Sequence, residues 1–153
     1  MKKLAVLVCV FLAVLFVYAP KHRELEPFKP QIKKEKELLP FVKKLLDLHN
    51  EERSSRGYEP LETDSRLCEY AQKHAEKMSK EERLAHSGMT DLQSGSAGEN
   101  IAWGQKTEDD VVNAWMWSPG HRWNILESDY RKAGFGMAKD SDGRIYWCVV
   151  FSD

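Results

Sequence analysis

Apolar residues recur along this chain with two different periods, and the change from one to the other outlines the domain. Phe41, Val42, Leu45, Leu46, Leu48 and His49 fall at helical spacing, and the pattern runs on through Asn50, Glu51, Glu52 and Arg53 until Gly57 ends it. A second helix is expected to start at Asp64 or Ser65, both good N-caps, and to carry Leu67, Tyr70, Ala71, His74, Ala75 and Met78 on one face. Thr107 caps a third, whose first turn holds Glu108, Asp109 and Asp110 and whose buried face is Val111, Val112, Ala114 and Trp115. The period then shortens to two. Residues 133–138 read as a strand weakened by two glycines, Asp140-Ser141-Asp142-Gly143 as a tight turn, and 145–151 as a strongly β-forming run. The last two segments predict an antiparallel hairpin, and the order helix, helix, loop, helix, hairpin predicts helices layered on a small sheet.

Two stretches break the periodicity. Between 84 and 104 the chain turns polar and glycine-punctuated, with His86-Ser87-Gly88 and then Gly98-Glu99-Asn100-Ile101, which reads as a loop presenting functional side chains. The other is Trp115-Met116-Trp117-Ser118-Pro119-Gly120-His121-Arg122-Trp123-Asn124-Ile125-Leu126. Proline restricts the residue before it and donates no amide hydrogen, so the third helix is expected to break at Ser118. His121 then stands near the start of a fresh helical turn. Trp115 continues the buried stripe, whereas Trp117 and Trp123 are expected nearer a cleft. Arg122 has two roles open, an anionic ligand or a surface ion pair with Glu127 or Asp129. His49 and His74 lie on apolar stripes and read as packed residues rather than ligands.

The 153 residues suffice for one domain. Met1-Lys2-Lys3 followed by an uncharged apolar run over 4–19 has the layout of an export signal, with an uncleaved N-terminal anchor as the alternative. Residues 20–40, rich in Lys, Glu and Pro, read as a charged linker, and 41–153 as the domain. Both alternatives place the domain outside the cytoplasm, secreted, periplasmic or held at a membrane only by its N-terminus. Loss of the signal removes Cys9 and leaves Cys68 and Cys148, for which a disulfide and a pair of buried thiols are both open. From Gly57 onward eleven basic residues face seventeen acidic ones, which excludes a nucleic-acid partner.

In their order and spacing, several segments resemble the CAP superfamily, the SCP-like domain of cysteine-rich secretory, antigen 5 and pathogenesis-related proteins. These are His49-Asn50-Glu51-Glu52-Arg53, Pro60-Leu61, the Leu67, Ala71, His74, Ala75 and Met78 helix, His86-Ser87, Gly98-Glu99-Asn100-Ile101, Trp115, Ser118 through Leu126, Gly134-Phe135-Gly136 and Tyr146-Trp147. The resemblance covers roughly 41–153 and takes its bacterial form in Gly-His-Arg followed by Asn-Ile-Leu. It implies an α+β fold, a three-layer α-β-α sandwich with a small antiparallel sheet, in a secreted protein. It also implies a cleft of two histidines and two acids. Carried over residue by residue, His86, Glu99 and His121 supply three of the four, and Ser118 stands where many eukaryotic members have a glutamate.

Two imidazoles and a carboxylate suit a weakly held zinc or other divalent ion, either with Glu99 as third ligand or with Glu99 orienting one imidazole from behind. A metal-free hydrogen-bonded network is also open. The resemblance points to an extracellular binding module for a lipid, sterol, glycan or protein. The alternatives are a metal-dependent hydrolase or peptidase with His86, Glu99 and His121 as candidate catalytic residues, and a structural surface protein. The helical Glu-x-x-His pairing of metallopeptidases and a glycine-flanked nucleophilic serine are missing from the sequence.

Overall fold

A computed structural model of the chain describes residues 38–89 and 97–153. The expected export segment and all but the end of the linker lie outside them. Among the described residues no helix is long and apolar enough to cross a membrane.

Helix α1, Pro40–Ser54, opens on a proline in its first turn, where a missing amide hydrogen costs nothing, and buries Val42, Leu45, His49 and Arg53. Strand β1, Glu62–Thr63, leads into α2, Ser65–Glu81. Asp64 caps α2, its Oδ1 accepting from the Arg66 and Leu67 amides at 2.8 and 3.1 Å. Strand β2 spans Ala97–Trp103; helix α3, Glu108–Trp117, is capped by Thr107 Oγ1 on the Asp110 amide at 3.1 Å. The chain then bends at Ser118, in extended conformation, and restarts as α4, Pro119–Leu126, as Pro119 requires. Strands β3, Lys132–Lys139, and β4, Ile145–Ser152, form the expected hairpin, with Gly143 at φ +79° closing its turn.

The sheet order is β1-β3-β4-β2. It is mixed rather than wholly antiparallel, because β1 pairs in parallel with β3. A two-residue strand is too short to leave a period in the sequence. The second correction is larger: residues read as a loop form β2, paired along its whole length with β4 from Ala97 opposite Ser152 to Trp103 opposite Tyr146. Glycine, glutamate and asparagine at 98–100 hide a strand whose ladder, rather than its side chains, fixes the conformation.

Side chains of β4 alternate between two cores. Trp147, Val149 and Phe151 face α1, α3 and α4, packing with Leu45, Val111, Trp115, Ile125 and Phe135. Tyr146, Cys148 and Val150 face α2, packing with Leu67, Ala71, Ala75 and Met78. The two helical layers with the sheet between them make the three-layer sandwich. Helix α2 lies almost on bare strand backbone. A Cβ on Gly134 would sit 2.0 Å from the Leu67 carbonyl carbon, and one on Gly136 2.3 Å from that of Ala71. Where β1 stops, the Gln72 side-chain amide takes over the exposed edge of β3, donating to the Met137 carbonyl at 3.0 Å and accepting from its amide at 3.1 Å.

The Cys68–Cys148 bridge is not formed: Cys148 carries a free, buried thiol.

Candidate functional site

Strand β2 is an edge strand, and the site is built across it. Glu99 shares the parity of Ile101 and faces α2; Asn100 has the opposite parity and faces α4. Carboxylates are seldom buried without partners, and Glu99, only 5% exposed, has several. Its Oε1 accepts from His86 Nδ1 at 2.8 Å and from the Ser87 amide at 2.9 Å. Its Oε2 lies 3.9 Å from Cys148 Sγ and 3.9 Å from His74 Nε2. His74 in turn donates through Nε2 to the Ala85 carbonyl at 2.8 Å, tying α2 to the segment that carries His86. Burial, and then the adjacent carboxylate, push the Cys148 thiol well above its ordinary range, so it stays protonated and donates.

His86 presents most of its ring to solvent while Nδ1 stays on Glu99. A carboxylate only accepts, so Nδ1 carries the hydrogen and, in the neutral ring, the Nε2 lone pair points outward. On the other side of β2, α4 is held down by two amides. Asn100 Nδ2 donates to the His121 carbonyl at 2.9 Å, and Asn124 Nδ2 donates to Asn100 Oδ1 at 2.8 Å and to the Glu99 carbonyl at 3.2 Å. Gly98 makes the contact possible: a Cβ there would meet Tyr130 Oη at 2.6 Å and Asn124 Oδ1 at 2.8 Å. These bonds bring His121 to the neighbourhood of His86. Its pKa lies below the usual imidazole range, first because the ring is partly buried and second because of the His86 charge.

Arg53 fixes the far end of α4. Fully buried, it donates from Nη1 to the Ile125 and Glu127 carbonyls at 2.9 and 2.8 Å, from Nη2 to the Tyr130 carbonyl at 3.1 Å and from Nε to that of Glu59 at 2.7 Å. It therefore serves as the cap that α4 lacks in its own sequence. Burial lowers its pKa from the usual guanidinium range.

A model of the Cysteine-rich secretory protein family, CAP, matches residues 46–151, which takes in every element described above apart from the opening turns of α1 and the last residue of β4. The chain belongs to the CAP family. It is 37% identical over 110 residues to the Uncharacterized protein YkwD of Bacillus subtilis (strain 168), covering 65% of this chain and 43% of that protein. It is 38% identical over 73 residues to Pathogenesis-related protein 1 of Arabidopsis thaliana, 46% of this chain and 42% of that one. Among solved structures, an outer surface protein from Borrelia burgdorferi superposes with a TM-score of 0.66 at 26% identity, over 72% of this chain and 90% of that one. The chain spans less than half the length of the curated relatives it matches.

Within this CAP domain the residues read from the sequence divide into two groups. His86, Glu99 and His121 gather at β2. Ser118 heads α4 without a side-chain capping bond. Trp117, Arg122 and Trp123 line a different hollow, an open groove of about 520 Å³ shared with Tyr58, Met116, Pro119, Leu126, Glu127 and Ser128. Helix geometry explains the division: Pro119, Arg122, Trp123 and Leu126 lie on one side of α4, and His121 lies nearly opposite. Trp115 is buried as expected, its Nε1 donating to the Ile101 carbonyl at 3.2 Å. The ion pair from Arg122 to Glu127 or Asp129 does not form; among the described residues Arg122 has no ion pair, and Glu127 Oε1 instead accepts from the Asp129 amide at 3.2 Å.

His74 and Cys148 complete the surroundings of Glu99, a role that the sequence alone does not assign to them. The available signal is a histidine on an otherwise small and apolar helix stripe, since a buried imidazole needs a polar partner. Both Glu99 oxygens are engaged inside the domain, and among the described residues no three His, Cys, Asp or Glu side chains converge as a ligand set. The donor set therefore fits an ion held by two imidazoles and solvent, and does not fit one that takes Glu99 as third ligand.

Proposed function

We propose that this CAP domain is an extracellular binding module whose two imidazoles, His86 and His121, take up zinc or another divalent cation in exchangeable fashion. The observation that carries the reading is the 2.8 Å bond from His86 Nδ1 to a buried Glu99 carboxylate. A carboxylate behind an imidazole fixes the tautomer and raises the basicity of the outward nitrogen, as at many metal-ligating histidines. Burial keeps His121 neutral near pH 7, the form that can donate a lone pair. A bound cation would supply Lewis acidity or an anchoring charge for a ligand's oxygen atoms. The chain's own residues orient the two rings and hold them apart from the core. The extracellular placement draws on the Lys-led apolar run at the N-terminus and on the likeness to the Borrelia outer surface protein. A lipid, sterol or other cell-surface molecule is the ligand class proposed for the module.

Zinc titration by calorimetry, parent against the His86→Ala, His121→Ala double variant, tests the reading. One weakly bound ion per chain in the parent and none in the double variant is expected. Equal zinc uptake by both proteins would overturn it. Glu99→Gln, which keeps the shape but not the charge, is expected to weaken binding roughly 10- to 100-fold.

A further inference from the structure

The groove between the end of α3 and the outer side of α4 is separate from the histidine site and has a chemistry of its own. Trp117 is 88% exposed and Trp123 60% exposed, although an indole is among the most costly side chains to leave in water. They flank a hollow that also holds one carboxylate, Glu127, and one cation, Arg122, which forms no ion pair among the described residues. The walls are braced from inside by Arg53, which bonds the carbonyls of Glu59, Ile125 and Glu127 and lies 5.9 Å from the centre of the Tyr58 ring at the groove's rim. The indoles are thus held on a fixed frame rather than on a loose loop.

We propose that this groove binds a neutral, β-linked pyranose chain. A sugar ring with equatorial hydroxyls presents a flat face of C–H groups, which packs on an indole, and a rim of hydroxyls, which donate to a carboxylate and accept from a guanidinium. The groove supplies each partner: two exposed indoles, the Glu127 acceptor and the Arg122 donors. A lipid tail is a poorer occupant, because a site for an apolar chain encloses most of its surface and this groove leaves its aromatic residues largely in water. A polyanion is disfavoured by the domain's excess of acidic residues from Gly57 onward. The proposal is independent of the histidine site.

Titration of the isotope-labelled full chain with cellohexaose and with chitohexaose, followed by the indole N–H resonances, is the test. The Trp117 and Trp123 signals are expected to move with sugar concentration, while those of Trp115 and Trp147, which donate to the Ile101 and Gln105 carbonyls inside the fold, stay in place. Trp117→Ala and Trp123→Ala, both surface changes, are each expected to weaken binding about tenfold. The His86→Ala, His121→Ala variant is expected to bind the sugars as the parent does, so failure of the metal reading leaves this result intact. The proposal is overturned if millimolar hexaose moves neither indole, or if dodecanoate or hexagalacturonate moves them and the neutral sugars do not. Loss of sugar binding in the histidine variant would also overturn it.

Discussion

The two sides of the sheet are packed on different principles. On the three-helix side, Trp115, Trp147, Phe135, Phe151 and Tyr130 fill a thick layer of aromatic volume, and the polar groups within it, His49 and Arg53, are bonded to main-chain carbonyls. On the α2 side the layer is thin: alanines and glycines let helix and strand backbones meet, and Glu99 with His74 and Cys148 occupies the end of that layer. Bulk on one face supplies the stability, while close approach on the other brings a buried carboxylate within reach of solvent-facing chemistry.

The sharpest way to break this contrast is Gly136→Ala. The added carbon would lie 2.3 Å from helix backbone, which cannot swing aside as a side chain can, so a loss on the order of 4 kcal/mol in urea unfolding is expected. At Gly98, on the other face, the nearest atoms that an added carbon would meet belong to the side chains of Tyr130 and Asn124.

The second test uses acid. Inside the aromatic layer His49 has its Nδ1 bonded to the Leu45 carbonyl at 2.7 Å, its Nε2 without a partner among the described residues, and ring contacts with Trp115 and Phe135. Burial lowers its pKa from 6.5 to about 4, outweighing the carbonyl, which raises it. The unfolded chain takes up this proton near pH 6.5 and the folded chain resists it down to about 4. Stability therefore falls as pH drops through that interval, by about 3 kcal/mol at its foot. His49→Leu is expected to flatten that limb of the stability profile.

The smallest expected effect lies on the α2 side. Cys148→Ala removes a thiol donor from Glu99 and one sulphur atom from the thin layer, for a loss of about 1 kcal/mol in the same unfolding measurement. A loss as large as that of Gly136→Ala would mean that the thin layer depends on its polar end as much as on backbone contact.

The helices and the hairpin are legible because their signals are local: caps at Asp64 and Thr107, a break at Pro119, alternation over 145–151. Strand β2 is not, since Gly98, Glu99 and Asn100 are chosen for what approaches them rather than for strand formation. His86, Glu99 and His121 can be named from the resemblance, but not that Glu99 is fully engaged from behind by Ser87, His74 and Cys148. Those contacts depend on sheet parity and on how α2 exits. Placing Trp117, Arg122 and Trp123 with His121 fails for a simpler reason: residues adjacent in a helix point in different directions.

Helix α4 has eight residues, too few to hold its own shape in water, and its orientation is set by Asn100 at one end and Arg53 at the other. It behaves as a single short axle with imidazole on one flank and indoles on the other. Loss of either anchor, Asn100 or Arg53, would therefore displace both flanks at once, whereas trimming the imidazoles on one flank leaves the axle and its opposite flank in place.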